Sequence, residues 1–198
     1  MNVESVRAAY ETVRAEVGPH VTVVVATKYV SLEDMPLVAE AGVGIVGENR
    51  VQDLERKHAA CADLFRWHFI GHLQSNKARR VDELCELVHS VDSDSAARRM
   101  TIPMLLEVNL TGEASKSGVA PTEVPGYVDR YPLIRGLMTM PPLARAPEDS
   151  RPWFRQLRQL AEEAGLDQLS MGTSQDWRIA VEEGATYIRL GSTLFGDR

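Results

Sequence analysis

The sequence predicts an α/β fold, a single (β/α)8 TIM barrel preceded by one N-terminal helix. Three observations carry this. Short apolar, β-branched runs alternate with longer amphipathic stretches from one end of the chain to the other. Strict alternation implies parallel strands with helices covering the sheet. About eight such runs are present, the number that closes a barrel, with an open doubly wound sheet as the alternative. Length pulls the other way: 198 residues lie just under the roughly 200 to over 400 usual for this barrel. They suffice for one domain, residues 1–198, burying about 70% of the unfolded chain's surface.

The elements follow in order. An amphipathic helix over Val3–Val17 precedes the first strand, Val21–Thr27, which is nearly all β-branched. Leu32–Ala41 reads as a helix ended by Gly42, and Val43–Val46 as the second strand. A polar helix, Asn49–Ala60, leads to a strand at Trp67–Ile70. Asn76–Leu84 is the next helix and Leu87–Val91 the fourth strand. Ser93–Arg99 is a helix before the strand Met104–Val108, and Thr122–Arg130 a helix before the strand Ile134–Met138. Arg151–Ala164 precedes the strand Gln168–Ser170, and Gln175–Glu183 precedes the last strand, Tyr187–Leu190, with a short helical turn closing the chain. Thr111–Pro121 and Pro141–Ser150 are loops, too short to separate domains.

Composition excludes several classes of function. With 22 Lys+Arg against 28 Asp+Glu, the net charge of −6 makes nucleic acid or an anionic membrane a poor principal partner. No apolar run approaches the roughly 20 residues of a membrane span, and the N-terminus does not read as a signal peptide. Cys61 and Cys85 form no CxxC pattern, so reduced thiols in a cytoplasmic protein are expected, without a disulfide framework.

Several motifs have plain readings. Gly42–Gly47 matches GxGxxG, but a helix precedes it and the strand lies inside it, which is the wrong order for a dinucleotide site. His68 and His72 are four apart without a convincing third ligand, so His68 reads as a hydrogen-bonded interior histidine and His72 as a loop residue. The basic stretch around Arg79 and Arg80 reads as a solvated helix face, although its helix start could donate to an anion.

The lysines say more. There are four, Lys28, Lys57, Lys77 and Lys116. Lys57 falls in the polar helix, Lys77 at a helix start and Lys116 in a loop. Lys28 alone follows an apolar strand, on the face of Val24 and Ala26. Desolvation there would free its amine for Schiff-base chemistry; the plain alternative is a lysine snorkelling at a strand end. The last two βα turns, around Ser174 and from Gly191 to Thr193, are of phosphate-binding type. Ser174 also reads as a helix cap and Gly191 as a tight turn. Arg189 points inward from the last strand and needs an acceptor, either within a structural ion pair or on a ligand's ring nitrogen.

A reactive lysine on the first strand, a phosphate cup at the last two and an arginine between them suggest pyridoxal phosphate. The sequence resembles the pyridoxal phosphate homeostasis protein family, related to the N-terminal domain of alanine racemase. The resemblance runs through VVVATK, GENRVQD, WHFIGHLQSNKAR, HSVDS, LLEVNLTGEASKSG, IRGLMTMP, LSMGTSQDWRIAVEEGAT and IRLGSTLFG. It implies a fold-type III barrel in which Lys28 forms the Schiff base, Arg189 faces the pyridine nitrogen and Asn49 helps to hold the cofactor. Ser174, Gly191 and Ser192 would bind the phosphate, and Met138 would line the ring. Asn49 has a second reading as a helix cap. A guanidinium donates without giving up its proton, so the ring would be a weak electron sink. The family pattern further implies a monomeric carrier and regulator of vitamin B6, delivering the cofactor to apoenzymes, with a racemase or lyase as the alternative. At this length a second domain with an opposing catalytic tyrosine is not expected. Against the family, the segment from Ser93 to Ile102 is shortened, which predicts a stunted helix after the fourth strand, and the stretch from Lys116 to Leu133 is trimmed.

Overall fold

Eight parallel strands close on one another in chain order: β1 (Thr22–Ala26), β2 (Ile45–Glu48), β3 (Arg66–Phe69), β4 (Leu87–Val91), β5 (Met104–Glu107), β6 (Ile134–Met138), β7 (Gln168–Thr173) and β8 (Tyr187–Leu190). The architecture comes from a computed structural model of the chain, which describes residues 1–196. Closure is made by β1 against β8, with Val24 opposite Arg189. The helices are α1 (Val3–Val17), α2 (Met35–Glu40), α3 (Val51–Cys61), α4 (Ala78–Leu84), α5 (Asp94–Ala97), α6 (Val124–Arg130), α7 (Arg151–Glu163), α8 (Trp177–Glu182) and α9 (Ser192–Phe195). The barrel expected from the alternation is therefore present. Among the described residues no helix is long and apolar enough to cross a membrane.

Period-two alternation sorts the strand side chains into two cores. Outward residues such as Val23, Val25, Phe69, Leu106, Leu137, Ile188 and Leu190 join one apolar cluster with the helices, including Leu54 of α3 and Phe154 and Leu157 of α7. Phe154, Leu157 and Ala161 recur at helical spacing and are buried. Inside the barrel the apolar cluster is small, Leu87, Leu105 and Met138 with Tyr187 against them. The rest of the interior is polar: His68, His89, Glu107, Ser170 and Arg189 are all buried.

Several boundaries differ from the sequence reading, for physical reasons. The second strand runs two residues further than expected and takes in Glu48, because a buried lysine neutralises that carboxylate. Gly42, at φ 92°, ends α2 as a left-handed residue, in keeping with the rejection of the glycine motif. The helix after the fourth strand is stunted as expected. α5 has four residues, and the Ser93 hydroxyl caps it by accepting from the Ala96 N–H at 3.3 Å. The β4–β5 pairing it joins shifts register between Val88 and Val91, yet the barrel still closes. Cys61 and Cys85 are free and buried, and burial pushes the Cys85 thiol up to about 12.

Candidate functional site

At the C-terminal ends of the strands a cavity of about 430 Å³ opens between β1, β2, β7 and β8. Active sites of this barrel occupy the same face. Of the residues picked out in the sequence, Lys28, Asn49, Ser174, Arg189, Gly191 and Ser192 line it together. Met138 does not. Its side chain is buried in the barrel interior against Leu87 and Leu105, and Met140, two residues on, lines the cavity instead. Lys116 is also elsewhere, in the 109–120 loop, paired with Glu113 at 3.3 Å.

Lys28 differs from expectation in its surroundings. β1 ends at Ala26, so Lys28 stands beyond the strand at the open mouth and is exposed. Its ammonium lies 4.7 Å from the ring centroid of Tyr29, itself 68% exposed. Access, rather than the desolvation inferred from its apolar strand, is the property the structure gives this amine.

What holds Lys28 in place lies one residue back, and it went unseen in the sequence. Lys57, taken for part of a polar helix face, is 1% exposed. Its ammonium donates to the Thr27 carbonyl at 2.6 Å and to Glu48 Oε1 at 2.7 Å, and the Thr27 hydroxyl donates to the same carboxylate oxygen at 2.5 Å. A buried ion pair thus ties the end of β1 to the end of β2, fixing the residues just before Lys28 and Asn49. The signal was available: Val51, Leu54, Lys57 and Cys61 recur at helical spacing, which puts Lys57 on the buried stripe of α3.

Asn49 is not a helix cap. Arg50 occupies that position without a side-chain bond, and Asn49 Oδ1 is buried with no partner among the described residues. Its backbone is pressed against Gly71, where an added Cβ would stand 2.0 Å from the Asn49 carbonyl oxygen. Only glycine permits that approach.

Ser174 is not a helix cap either. Asp176 organises that turn, accepting from the Thr173 N–H at 2.8 Å and from the Ser150 hydroxyl at 2.7 Å. Ser174 Oγ instead accepts from the backbone N–H groups of Gly191 and Thr193, both at 3.2 Å. Two donors from the last turn thus converge on one oxygen, as they would on an oxygen of a bound anion.

Arg189 is buried inside the barrel. Its guanidinium donates to the Ser170 carbonyl at 3.0 Å and hydroxyl, to the Thr139 carbonyl at 3.1 Å and to Met140 Sδ at 2.9 Å. None of these acceptors is charged, so the structural ion pair considered from the sequence does not form among the described residues. Burial pulls Arg189 down to about 10, with Glu107 and Asp176 acting against it through space, and the group stays cationic at neutral pH. Burial, with Asp92 nearby, pushes Glu107 up to about 7 against the pull of Arg189 and His72. His68 is the interior histidine expected, its Nδ1 3.0 Å from His89 Nε2. His72 is exposed, 3.4 Å from Asp92. Among the described residues no group of three or more His, Cys, Asp or Glu could hold a metal.

No model of a protein family matches this chain. Individual relatives do. The pyridoxal phosphate homeostasis protein of Aquifex aeolicus is 40% identical over 194 residues, 87% of this chain and 85% of that protein. The one from Pseudomonas aeruginosa is 42% identical over 175 residues, 80% and 76% of the two chains. Among solved structures, PipY of Synechococcus elongatus with pyridoxal phosphate bound superposes with a TM-score of 0.87 at 33% identity, over 96% of this chain and 100% of that one. Alanine racemase from Bartonella henselae, at 11% identity and a TM-score of 0.80 over 60% of its own length, shares the fold. At these identities and coverages the chain belongs to the pyridoxal phosphate homeostasis protein family.

Proposed function

We propose that this protein binds pyridoxal 5'-phosphate in the cavity at the C-terminal face of the barrel and holds it for intracellular vitamin B6 homeostasis, as a cytoplasmic, monomeric carrier. The observation that carries the reading is the convergence on one cavity of an accessible amine (Lys28), a buried cation without a charged partner (Arg189) and the paired N–H groups of Gly191 and Thr193. The residues fit the group at three points. The orphaned Asn49 Oδ1 has hydrogen-bonding capacity that nothing among the described residues uses. The two N–H groups converge as an anion requires. The guanidinium stands on the cavity wall where a neutral acceptor would meet a donor.

When bound, pyridoxal phosphate supplies an aldehyde that condenses reversibly with a primary amine. Lys28 provides that amine. Ser174, with the backbone of Gly191 and Ser192, binds the phosphate, and the Ser174 hydroxyl turns from accepting the Gly191 and Thr193 N–H groups to donating. Asn49 orients the ring. Arg189 donates to the ring nitrogen but keeps its own proton at neutral pH, so the protein does not supply the protonated ring that broad carbanion chemistry needs. This favours a carrier, which releases its cargo to apoenzymes, over a racemase or lyase.

Borohydride reduction of the loaded protein followed by peptide mapping tests the assignment. The label is expected on Lys28, and Lys28→Ala is expected to lose the visible band while keeping weak phosphate-dependent binding. Label on another lysine, or an unchanged band in that variant, would overturn it. Turnover of D- or L-amino acids at rates typical of enzymes, about 1 per second or faster, would overturn the carrier reading and leave the cofactor assignment standing.

A further inference from the structure

Four buried polar side chains run in file through the barrel. His68 Nδ1 lies 3.0 Å from His89 Nε2, His89 Nδ1 lies 2.7 Å from the Ser170 hydroxyl, and that hydroxyl is bonded in turn by Arg189. All four are buried, with His89 and Ser170 fully so. They come from β3, β4, β7 and β8, so the file crosses the barrel interior rather than following one strand. Tyr187 walls it, its ring centroid 5.2 Å from that of His89 and 6.1 Å from that of His68.

The direction of every hydrogen bond in this file follows from one end. A guanidinium has only donors, so Ser170 Oγ must accept from Arg189. The hydroxyl hydrogen then needs an acceptor, and among the described residues His89 Nδ1 is the one placed to take it. Were His89 Nδ1 to carry the proton instead, the hydroxyl hydrogen of a fully buried serine would be left unpaired, which is costly. His89 therefore carries its proton on Nε2 and donates to His68 Nδ1, and His68 carries its own on Nε2. Both rings stay neutral, since burial pushes His68 down to about 4 and His89 well below its ordinary value. The far end reaches a second cavity, of about 270 Å³, at the N-terminal mouth of the barrel, where His68 lies beside Arg66, Arg135, Gln168 and Tyr187.

We infer that His68, His89 and Ser170 are positioning residues, a file locked in one tautomeric state that holds the Arg189 guanidinium on the cavity wall in the orientation that meets the cofactor's ring nitrogen. The inference rests on the pyridoxal phosphate reading for what Arg189 meets, but not for the file itself. Without the file, Arg189 would keep two backbone carbonyls and a thioether but lose the Ser170 hydroxyl, the acceptor that His89 fixes in turn. A neutral histidine pair with one allowed tautomer is a rigid support. A charged pair would repel, and a free hydroxyl would rotate.

Two-bond ¹H–¹⁵N correlation spectra of histidine-labelled protein, taken before any cofactor is added, read the tautomers directly. The expected result is the Nε2–H form for both His68 and His89. An Nδ1–H form at His89, or a protonated ring at neutral pH, would overturn the inference without recourse to any variant. Ser170→Ala removes the link to Arg189. Once its amide spectrum shows the fold retained, the variant is expected to release His89 to a mixture of tautomers, move the visible band of the loaded protein, and weaken pyridoxal phosphate binding about tenfold. Unchanged tautomers together with an unchanged band would mean that the file does not position Arg189. Failure of the cofactor reading shows separately, as absent label at Lys28 in a wild-type protein whose tautomers are as expected.

Discussion

Lys57 and Arg189 are both buried cations, Arg189 on the cavity wall and Lys57 behind the residues that precede Lys28 and Asn49, and they are held in opposite ways. Lys57 is neutralised: its ammonium donates to the Glu48 carboxylate, whose charge offsets its own, and to the Thr27 carbonyl. Among the described residues Arg189 donates only to neutral groups, with Glu107 and Asp176 felt through space. A buried charge needs compensation, and the protein supplies it fully at one site and in part at the other. Lys57 therefore joins β1 to β2, whereas Arg189 stands on the cavity wall with its charge only partly offset. The difference separates a cation bound up in joining two strands from one that lines the cavity without a bonded counter-ion.

The largest effect expected of breaking this contrast is on stability at the paired site. Lys57→Met leaves Glu48 buried without its partner and should lower unfolding free energy by about 3–5 kcal/mol, read by urea denaturation. Adding Glu48→Gln should recover most of that loss, because the uncompensated charge goes with it. A single variant within about 1 kcal/mol of wild type would show that Lys57 is not the structural cation described here.

Glu107 sharpens the other half of the contrast, because its charge state decides how much counter-charge Arg189 feels. Its carboxyl is raised to about 7 from an ordinary 4.5. Below 4.5 it is protonated in both folded and unfolded chains and has no effect. As the pH rises from there, the unfolded chain loses its proton first, so stability falls until the folded group ionises near 7. His68, lowered to about 4, works in the opposite sense: stability is lost as the pH falls from about 6.5 to 4. The two slopes overlap and oppose each other. Glu107→Gln should therefore steepen the loss of stability on acidification from pH 7 to 4.5, by about 3 kcal/mol over that window. Denaturation series at several pH values would show it, and a profile parallel to wild type would mean that Glu107 ionises normally in the folded protein.

The contrast also marks what could be read in the sequence. The alternation of strands and helices and the inward face of Arg189 follow from period-two and period-3.6 patterning, which the barrel obeys. The turns after the last two strands are legible for the same reason: their place at the cavity depends on chain order. Lys57 is hidden by its residue type, because a lysine in a helix with many polar residues suggests a solvated face although its spacing places it on the buried stripe. Glu48 gives no signal by itself, since its burial depends on a lysine nine residues on. Met138 misleads by one inward step. It shares the cavity-facing parity of its strand but sits too deep, and Met140, already past the strand's end, reaches the site. Ser174 and Asn49 look like helix caps by type, and only their actual partners, or the lack of one, show otherwise.

The smallest stability effect should come from Arg189→Met, although its effect on the site should be large. Removing the guanidinium takes a donor from the Thr139 carbonyl and leaves the Ser170 carbonyl with only the Thr139 N–H at 3.3 Å, at a cost of about 1–3 kcal/mol. It also removes a charge whose own desolvation opposes folding, which offsets part of that cost. In the same variant Glu107 loses the neighbour that holds its carboxyl down, so its midpoint should move above 7, visible by carboxyl ¹³C shifts. Loss of stability as great as that of Lys57→Met would erase the contrast, since Arg189 would then be as structural as the paired lysine. A stable variant with a raised Glu107 and a lost or shifted cofactor band would place its charge where the cavity uses it.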